Sequence, residues 1–242
     1  MVTDASIRSY EGSYNIIDNN TINDDGILNV SNPGDIVSTG VDDGIILGNG
    51  VDGAATDPYT PETNDTVVNN NIHEVFDCGI EGVGTVNDTV INHNTISYAG
   101  NNGICSYYFS SWMNDTISYN TVTQGGTSGV NTFPGNNFFD FVSSNFPSTG
   151  QVDFENNKLV GNKYIPLSTN DGYGIYIDLG GTQYNSSNSN FTNDLFENNN
   201  LTHTATMYTP EIIPSSMVVD GGRNICTTTL HIGEPPNGLV CN

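Results

Sequence analysis

One short pattern, aliphatic-x-x-Asn-x-aliphatic, constrains this chain more than anything else in it. It reads Val67-Val68-Asn69-Asn70-Asn71-Ile72, then Ile91-Asn92-His93-Asn94-Thr95-Ile96, then Ile117-Ser118-Tyr119-Asn120-Thr121-Val122. Asn-Asp-Thr precedes each copy, at Asn64, Asn87 and Asn114, and Gly plus an aliphatic residue follows, at Gly79-Ile80, Gly103-Ile104 and Gly129-Val130. Asn70, Asn94 and Asn120 are 24 and 26 residues apart. A fixed period in this range, built on short β-branched runs without helical periodicity, marks a solenoid. Each copy has too few apolar residues to bury a face alone, so it must stack on its neighbours.

Spacing within the pattern implies a bend. Side chains alternate along a strand, so Asn94 and Ile96 share a face while Ile91 has the other parity. All three point inward only if the chain turns between Ile91 and Asn94. An inward asparagine at a bend, once per coil, can pass a hydrogen bond to the next one and cap the turn. The spacing thus predicts an asparagine ladder through Asn20, Asn70, Asn94, Asn120, Asn157 and Asn199, with Asn as a mere turn former as the alternative.

This core with its following Gly-Ile resembles the repeat of right-handed parallel β-helix proteins, the pectate-lyase-like superfamily. The resemblance covers about two-thirds of the chain. It implies an all-β, single-stranded right-handed parallel β-helix. That superfamily includes pectate-lyase-like enzymes, phage tailspikes, mannuronan epimerases and copper-accessory proteins, so the likeness speaks to fold and hardly to activity.

The 242 residues suit one domain of about nine or ten coils, at roughly 24 residues per coil. Regular coils are expected over 15–130, coils with insertions over 131–219, and a C-terminal cap over 220–242. The 50 residues between Asn20 and Asn70 fit two coils, the hidden one running through Ile36-Val37 and Gly44-Ile45-Ile46-Leu47. Residues 48–63 read as a loop leaving the barrel. Phe154-x-x-Asn157-x-Leu159 and Phe196-x-x-Asn199-x-Leu201 keep the pattern at wider spacing, which puts insertions near 132–150, 161–170 and 180–192.

Charge narrows the partners. A net charge of -23 with only four Lys and Arg residues cannot neutralise phosphates, which argues against nucleic acid and anionic lipid. No run reaches the ~18 apolar residues of a membrane span, and Met1-Val2-Thr3-Asp4 is no signal peptide, so Met1 reads either as an added start or as the beginning of a mature chain whose leader is absent. Cys226 and Cys241 flank an irregular loop and are expected to be bridged. Cys78 and Cys105 sit three slots out of register, which on straight strands separates their Cα atoms by roughly 11 Å and predicts free thiols. Eight Asn-x-Ser/Thr sequons agree with secretion but arise readily in so Asn- and Thr-rich a chain.

The candidate chemistry is sparse. Asp65, Asp88 and Asp115 repeat with the coils and face outward by parity, as solvated Asx-turn formers or as oxygen ligands for calcium, the one cofactor the residue types suggest. His73, His93, His203 and His231 fall into no transition-metal pattern. The slot two after each Gly holds Glu81, Cys105 and Asn131, and Asp77 can reach Glu81 only across a bend, so no catalytic residue is identified. Aromatics are more telling: Tyr107 and Phe133 share a slot, Tyr176 lies on a later strand, and Trp112 is the only Trp. Outward rings among Asn, Asp and Ser suit sugar stacking, unless insertions fold over them.

The reading is a secreted or cell-surface β-helix that binds or processes carbohydrate, with Glu81, Tyr107, Trp112, Phe133 and Tyr176 as substrate contacts. If it is an enzyme, it is a polysaccharide lyase, glycoside hydrolase or epimerase. A non-catalytic surface or fibre module is the alternative, and a metal-binding β-helix a second. The expected partner is a polysaccharide or glycan, with self-association compatible with the sequence.

Overall fold

A computed structural model describes residues 5–9, 12–25, 43–48, 62–100, 102–123, 138–142, 153–165, 175–178, 190–192, 194–201 and 218–226. These residues form strands and no helix. Every strand pairing among them is parallel. They make three sheets, a first of nine strands and a second and third of seven each. The chain visits the sheets in turn on each circuit, so the molecule is a parallel β-helix, as its repeat predicts.

One circuit shows the plan. Ile80–Asn87 lies in the first sheet, Val90–Asn92 in the second and Thr95–Ser97 in the third, and Ile104–Met113 returns to the first. Stacking aligns like with like. Ile17, Val67, Ile91, Ile117, Leu159 and Phe196 form one buried inner column, and Ile22, Ile72, Ile96, Val122, Tyr164 and Leu201 another. Burying each such side chain is worth about 1.5–3 kcal/mol, which replaces the compact core a globule would have.

The bend inferred between Ile91 and Asn94 is a single residue in the left-handed region. Between the second and third sheets it falls at Asn19, Asn69, His93, Tyr119, Gly161, Asn198 and Arg223, with φ between 54° and 66°. Each is followed by a residue of the ladder: Asn20, Asn70, Asn94, Asn120, Asn162, Asn199 and Asn224. Asn70 Nδ2 donates to Asn94 Oδ1 at 2.9 Å and Asn94 Nδ2 to Asn120 Oδ1 at 3.0 Å. The ladder therefore exists, with a different membership. Asn157 is not in it; Asn162 holds that rung. The reason is that the pattern marks either of two corners. Phe154-x-x-Asn157-x-Leu159 spans the first, Leu159-x-x-Asn162-x-Tyr164 the second, and the former alone resembles the repeat in its aliphatic ending.

That first corner, between the first and second sheets, has its own left-handed residues at Tyr14, Asn64, Asp88, Asn114 and Asn156. Its inward slot holds Asn15, Asp65, Thr89, Asp115, Asn157 and Asp194 in register. Asp65 and Asp115 are thus buried, not outward as expected, while Asp88 is exposed at the bend. The Asn-Asp-Thr copies mislead because the second is displaced by one residue: Thr66 pairs with Val90, not Thr89. With two acids turned inward, no outward calcium column exists at these residues.

The step from Asn20 to Asn70 is one rung, since Asn20 Nδ2 donates directly to Asn70 Oδ1 at 2.9 Å. No coil is hidden there; Asp43–Leu47 belongs to the same circuit as Val67 and Ile72. The seven rungs of the second and third sheets compare with the nine or ten expected from length. Val218–Gly222 and Ile225–Cys226 continue the helix, so its last described rung includes the start of the segment expected to cap it.

The recurrent Gly-Ile is explained at the entry to the first sheet. A Cβ on Gly79 would lie 2.5 Å from Ile96 Cγ2 and 2.7 Å from the Gly103 carbonyl, and Gly103 meets Val122 in the same way. Gly44 holds the equivalent place on the preceding rung, 2.7 Å from Ile72 Cγ2.

Candidate functional site

The chain departs from its repeat at the first sheet, and titratable side chains gather there. In register, Ile45, Ile80, Ile104 and Phe139 point into the core. The next residue on each strand gives a second column in register, Arg8, Ile46, Glu81, Cys105, Asp140 and Tyr176. Ile46, Glu81 and Cys105 are nevertheless buried, at 3%, 4% and 4% exposure, so the outer face is closed to solvent along this stretch.

Asp43 stands immediately before the glycine column, as Cys78 and Asn102 do on the next rungs. Its Oδ1 accepts the Cys78 N–H at 2.8 Å, and the residue is fully buried. Residues 76–77 bend after Glu74, whose φ is 56°, and this carries Asp77 back toward Asp43. Oxygens of Asp43 and Asp77 and the Cys78 sulfur all lie within 4.8 Å of one another. Burial pushes the Asp43 carboxyl well above the ordinary carboxylate range, and the charges of Glu81 and Asp77 push it further. An acid kept protonated beside ionisable neighbours is the arrangement general acid–base chemistry uses. Asp77 is the half-buried member of the group, hence the side from which a substrate or ion would reach it.

Cys78 and Cys105 are joined in a disulfide, their Cα atoms 6.2 Å apart. Free thiols were expected from straight-strand geometry, and the bend at residues 76–77 is what defeats that argument. Glu81 Oε1 lies 3.9 Å from the Cys105 sulfur. The bonded sulfur of Cys78 is no thiolate ligand, so a cation here would rely on the oxygens of Asp43 and Asp77, a hard-ion donor set.

The sequence-derived contacts separate. Glu81 joins the acidic cluster, and Asp77 reaches it across the bend as required. Trp112 is fully buried and packs edge-on against Phe139 with ring centroids 5.6 Å apart, so it belongs to the core and cannot stack on a sugar. It was grouped with the outward rings by proximity to Tyr107, whereas strand parity from the inward Ile104 turns it inward. The irregularity between Tyr107 and Ser111 leaves that parity intact, with Trp112 in register with buried Val86. Tyr107 pairs with Val83, and Tyr176 with Asp140. The side chains of Tyr107 and Tyr176 lie outside the described residues, as do Phe133, Cys241 and the side chain of Cys226, and with them the expected tail disulfide. Asp43 and Arg8 were missed. The polar residue before Gly44-Ile45, matching Cys78 before Gly79-Ile80, was the available signal for Asp43; Arg8 lay in a segment with no legible repeat.

No family model, no curated protein and no solved structure matches this chain. Its architecture, a parallel β-helix with a closed acidic cluster on its widest sheet, is what the fold itself establishes.

Proposed function

We propose that this is a secreted or cell-surface β-helix of the pectate-lyase-like kind that binds a neutral glycan at its first sheet. The observation that carries this reading is where the chain spends its length. The second and third sheets are joined by two-residue corners, as between Val68 and Asn71 or Asn92 and Thr95. Residues 26–42, 48–61, 124–138, 143–152, 166–174 and 179–189 all enter or leave strands of the first sheet, and 202–217 alone runs from the third sheet to the second. Segments grown from one rim of a regular scaffold are where binding is commonly placed. The Cys78–Cys105 disulfide supports an oxidising compartment. The charge of -23 disfavours polyanionic sugars such as uronates and leaves neutral ones.

A rigid, non-catalytic surface module is the second reading, favoured by the unbroken ladder and by the burial of Trp112 and Glu81. Glycan arrays run with and without chelator separate the two. Binding of neutral glycans that survives chelator and weakens about tenfold or more in Tyr107→Ala is expected. An array without any bound glycan would leave the module.

A further inference from the structure

The two corner columns follow one plan, and where the first corner holds aspartate in place of asparagine they differ by a single kind of atom. In the column between the second and third sheets, each Asn Oδ1 accepts from the rung before. From Asn70 to Asn199 each Nδ2 donates onward, and from Asn70 to Asn224 each also donates to one main-chain carbonyl, that of the residue three before the inward Asn of the preceding rung. Asn94 Nδ2 reaches Val67 O at 2.9 Å, Asn120 reaches Ile91 O at 2.9 Å, Asn199 reaches Leu159 O at 2.8 Å and Asn224 reaches Phe196 O at 3.0 Å. Asn157, in the other column, obeys the same rule and reaches Trp112 O at 2.9 Å.

Asp115 and Asp194 occupy the same geometry without the amide. Oδ1 of Asp115 accepts the Thr89 N–H, and that of Asp194 the Asn157 N–H, each at 2.8 Å. Both side chains have 0% exposure, and both Oδ2 atoms are buried with no hydrogen-bond partner. By the positional rule these oxygens face the main-chain carbonyls of Val86 and Phe154. A carboxylate there would set lone pair against lone pair in a buried site. A carboxylic acid would donate, as Nδ2 does.

We propose that Asp115 and Asp194 are protonated at neutral pH and use the acid proton where asparagine uses its amide, so that this corner is a seam that weakens as the solution turns alkaline. The electrostatics agree. Burial raises Asp115 well above the ordinary range, opposed by the N–H groups of Thr89 and Met113 and helped by the charge of Asp88. Burial raises Asp194 to about 8, opposed by the N–H and amide of Asn157 and helped by Glu155 and Asp115. The other charged groups on the packed strands are Asp153 on the strand beside Met113, Lys158 on the strand between the two acids, Glu197 on the strand of Asp194 and Asp220 on the strand beyond; Glu197 pairs with Arg223.

The sign follows from the raised values. Below about pH 4, where the unfolded acids are also protonated, the contribution is complete. From there to the folded value each acid keeps a proton the unfolded chain releases, so the folding constant falls about tenfold per pH unit per acid. Above about 8 the contribution of Asp194 is gone. Denaturant unfolding of the full chain at pH 5.5, 6.5, 7.5 and 8.5, in high salt to screen the net charge, tests this against Asp194→Asn. The variant keeps the shape and supplies the amide, so its folding constant is expected to exceed the parent's by a factor growing about tenfold per unit up to pH 8. Carboxyl ¹³C NMR of the labelled parent reads the same acids without unfolding, and one aspartate titrating near 8 is expected. Parallel pH curves for parent and variant, or every carboxyl titrating below about 5, would overturn the seam.

Discussion

The corner between the second and third sheets and the corner between the first and second begin identically. A residue in the left-handed region turns the chain, and the next side chain points inward and bonds to the rungs on either side. At the former every described rung has Asn. At the latter the slot holds Asn, Asp or Thr on the rungs from Asn15 to Asp194. An inward corner group must accept a main-chain N–H from one rung, and it is fully satisfied only if it also donates to a carbonyl. Asn does both, ionised Asp accepts only, and Thr has the wrong reach. Acceptance is therefore the requirement shared by most rungs of both corners, and donation is the part that the corner next to the elaborated sheet has relaxed.

Breaking the uniform corner should have the largest effect. Asn94→Ala removes the acceptor for the Asn70 N–H and the donor to the Val67 carbonyl, both buried. Two stranded main-chain groups at about 1–3 kcal/mol each predict a loss of about 3–5 kcal/mol. Asn92, two residues away, has its Oδ1 buried without a partner, so Asn92→Ala should be near neutral or slightly stabilising. Chemical denaturation of both variants checks the contrast; equal midpoint shifts would remove the ladder's special role.

A smaller effect is expected one residue earlier on the same corner. Gly161 fills the bend with φ 66°, where the other rungs use Asn, His, Tyr or Arg. A Cβ there would come 2.6 Å from the Tyr119 ring, which is 52% exposed and stacks on His93, so it can give way outward only at the cost of that contact. Gly161→Ala should therefore cost about 1–2 kcal/mol, mostly left-handed strain. In the Tyr119→Ala background the steric part should vanish, which a double-mutant cycle measures. A cost that is unchanged in that background would assign it all to the backbone.

How much of this the sequence disclosed depended on which corner was read. The fold, a bend between Ile91 and Asn94 and the ladder through Asn70, Asn94 and Asn120 followed from spacing, because parity and a fixed period are geometric facts. Asn157 was misassigned because the pattern is a signature of bending, and each rung has two corners that take an inward polar residue. The Asp65 and Asp115 orientation was missed for a related reason: similar letters in Asn-Asp-Thr conceal a one-residue slip, and one residue reverses a side chain's face. The acidic cluster was half legible. Glu81 and Asp77 were in view, but Asp43 comes from another rung, and only the strand register unites them. The Cys78–Cys105 bridge depends on a bend of two residues that carries no periodic signal.

The smallest effect should be a gain, at Thr89, an inward slot without an amide or a carboxyl. Thr89 is buried, its N–H donates to Asp115 Oδ1 at 2.8 Å, and its hydroxyl makes only a long 3.4 Å contact with the Asn87 carbonyl. In Thr89→Asn the new Oδ1 would accept from Asp65 N, as Asn94 Oδ1 accepts from Asn70 N at 2.9 Å. Its Nδ2 would donate to Asp115 Oδ1, as Asn157 Nδ2 lies beside Asp194 on a later rung. Two added bonds, less the crowding of a larger side chain in a packed corner, predict a gain of about 0.5–1 kcal/mol. The same donor favours the charged form of Asp115, so the variant should also lower that group's titration point, visible by carboxyl ¹³C NMR even where the stability change is slight. A Thr89→Asn protein less stable than its parent, with Asp115 unmoved, would mean that the two corners share a shape but not a hydrogen-bonding plan.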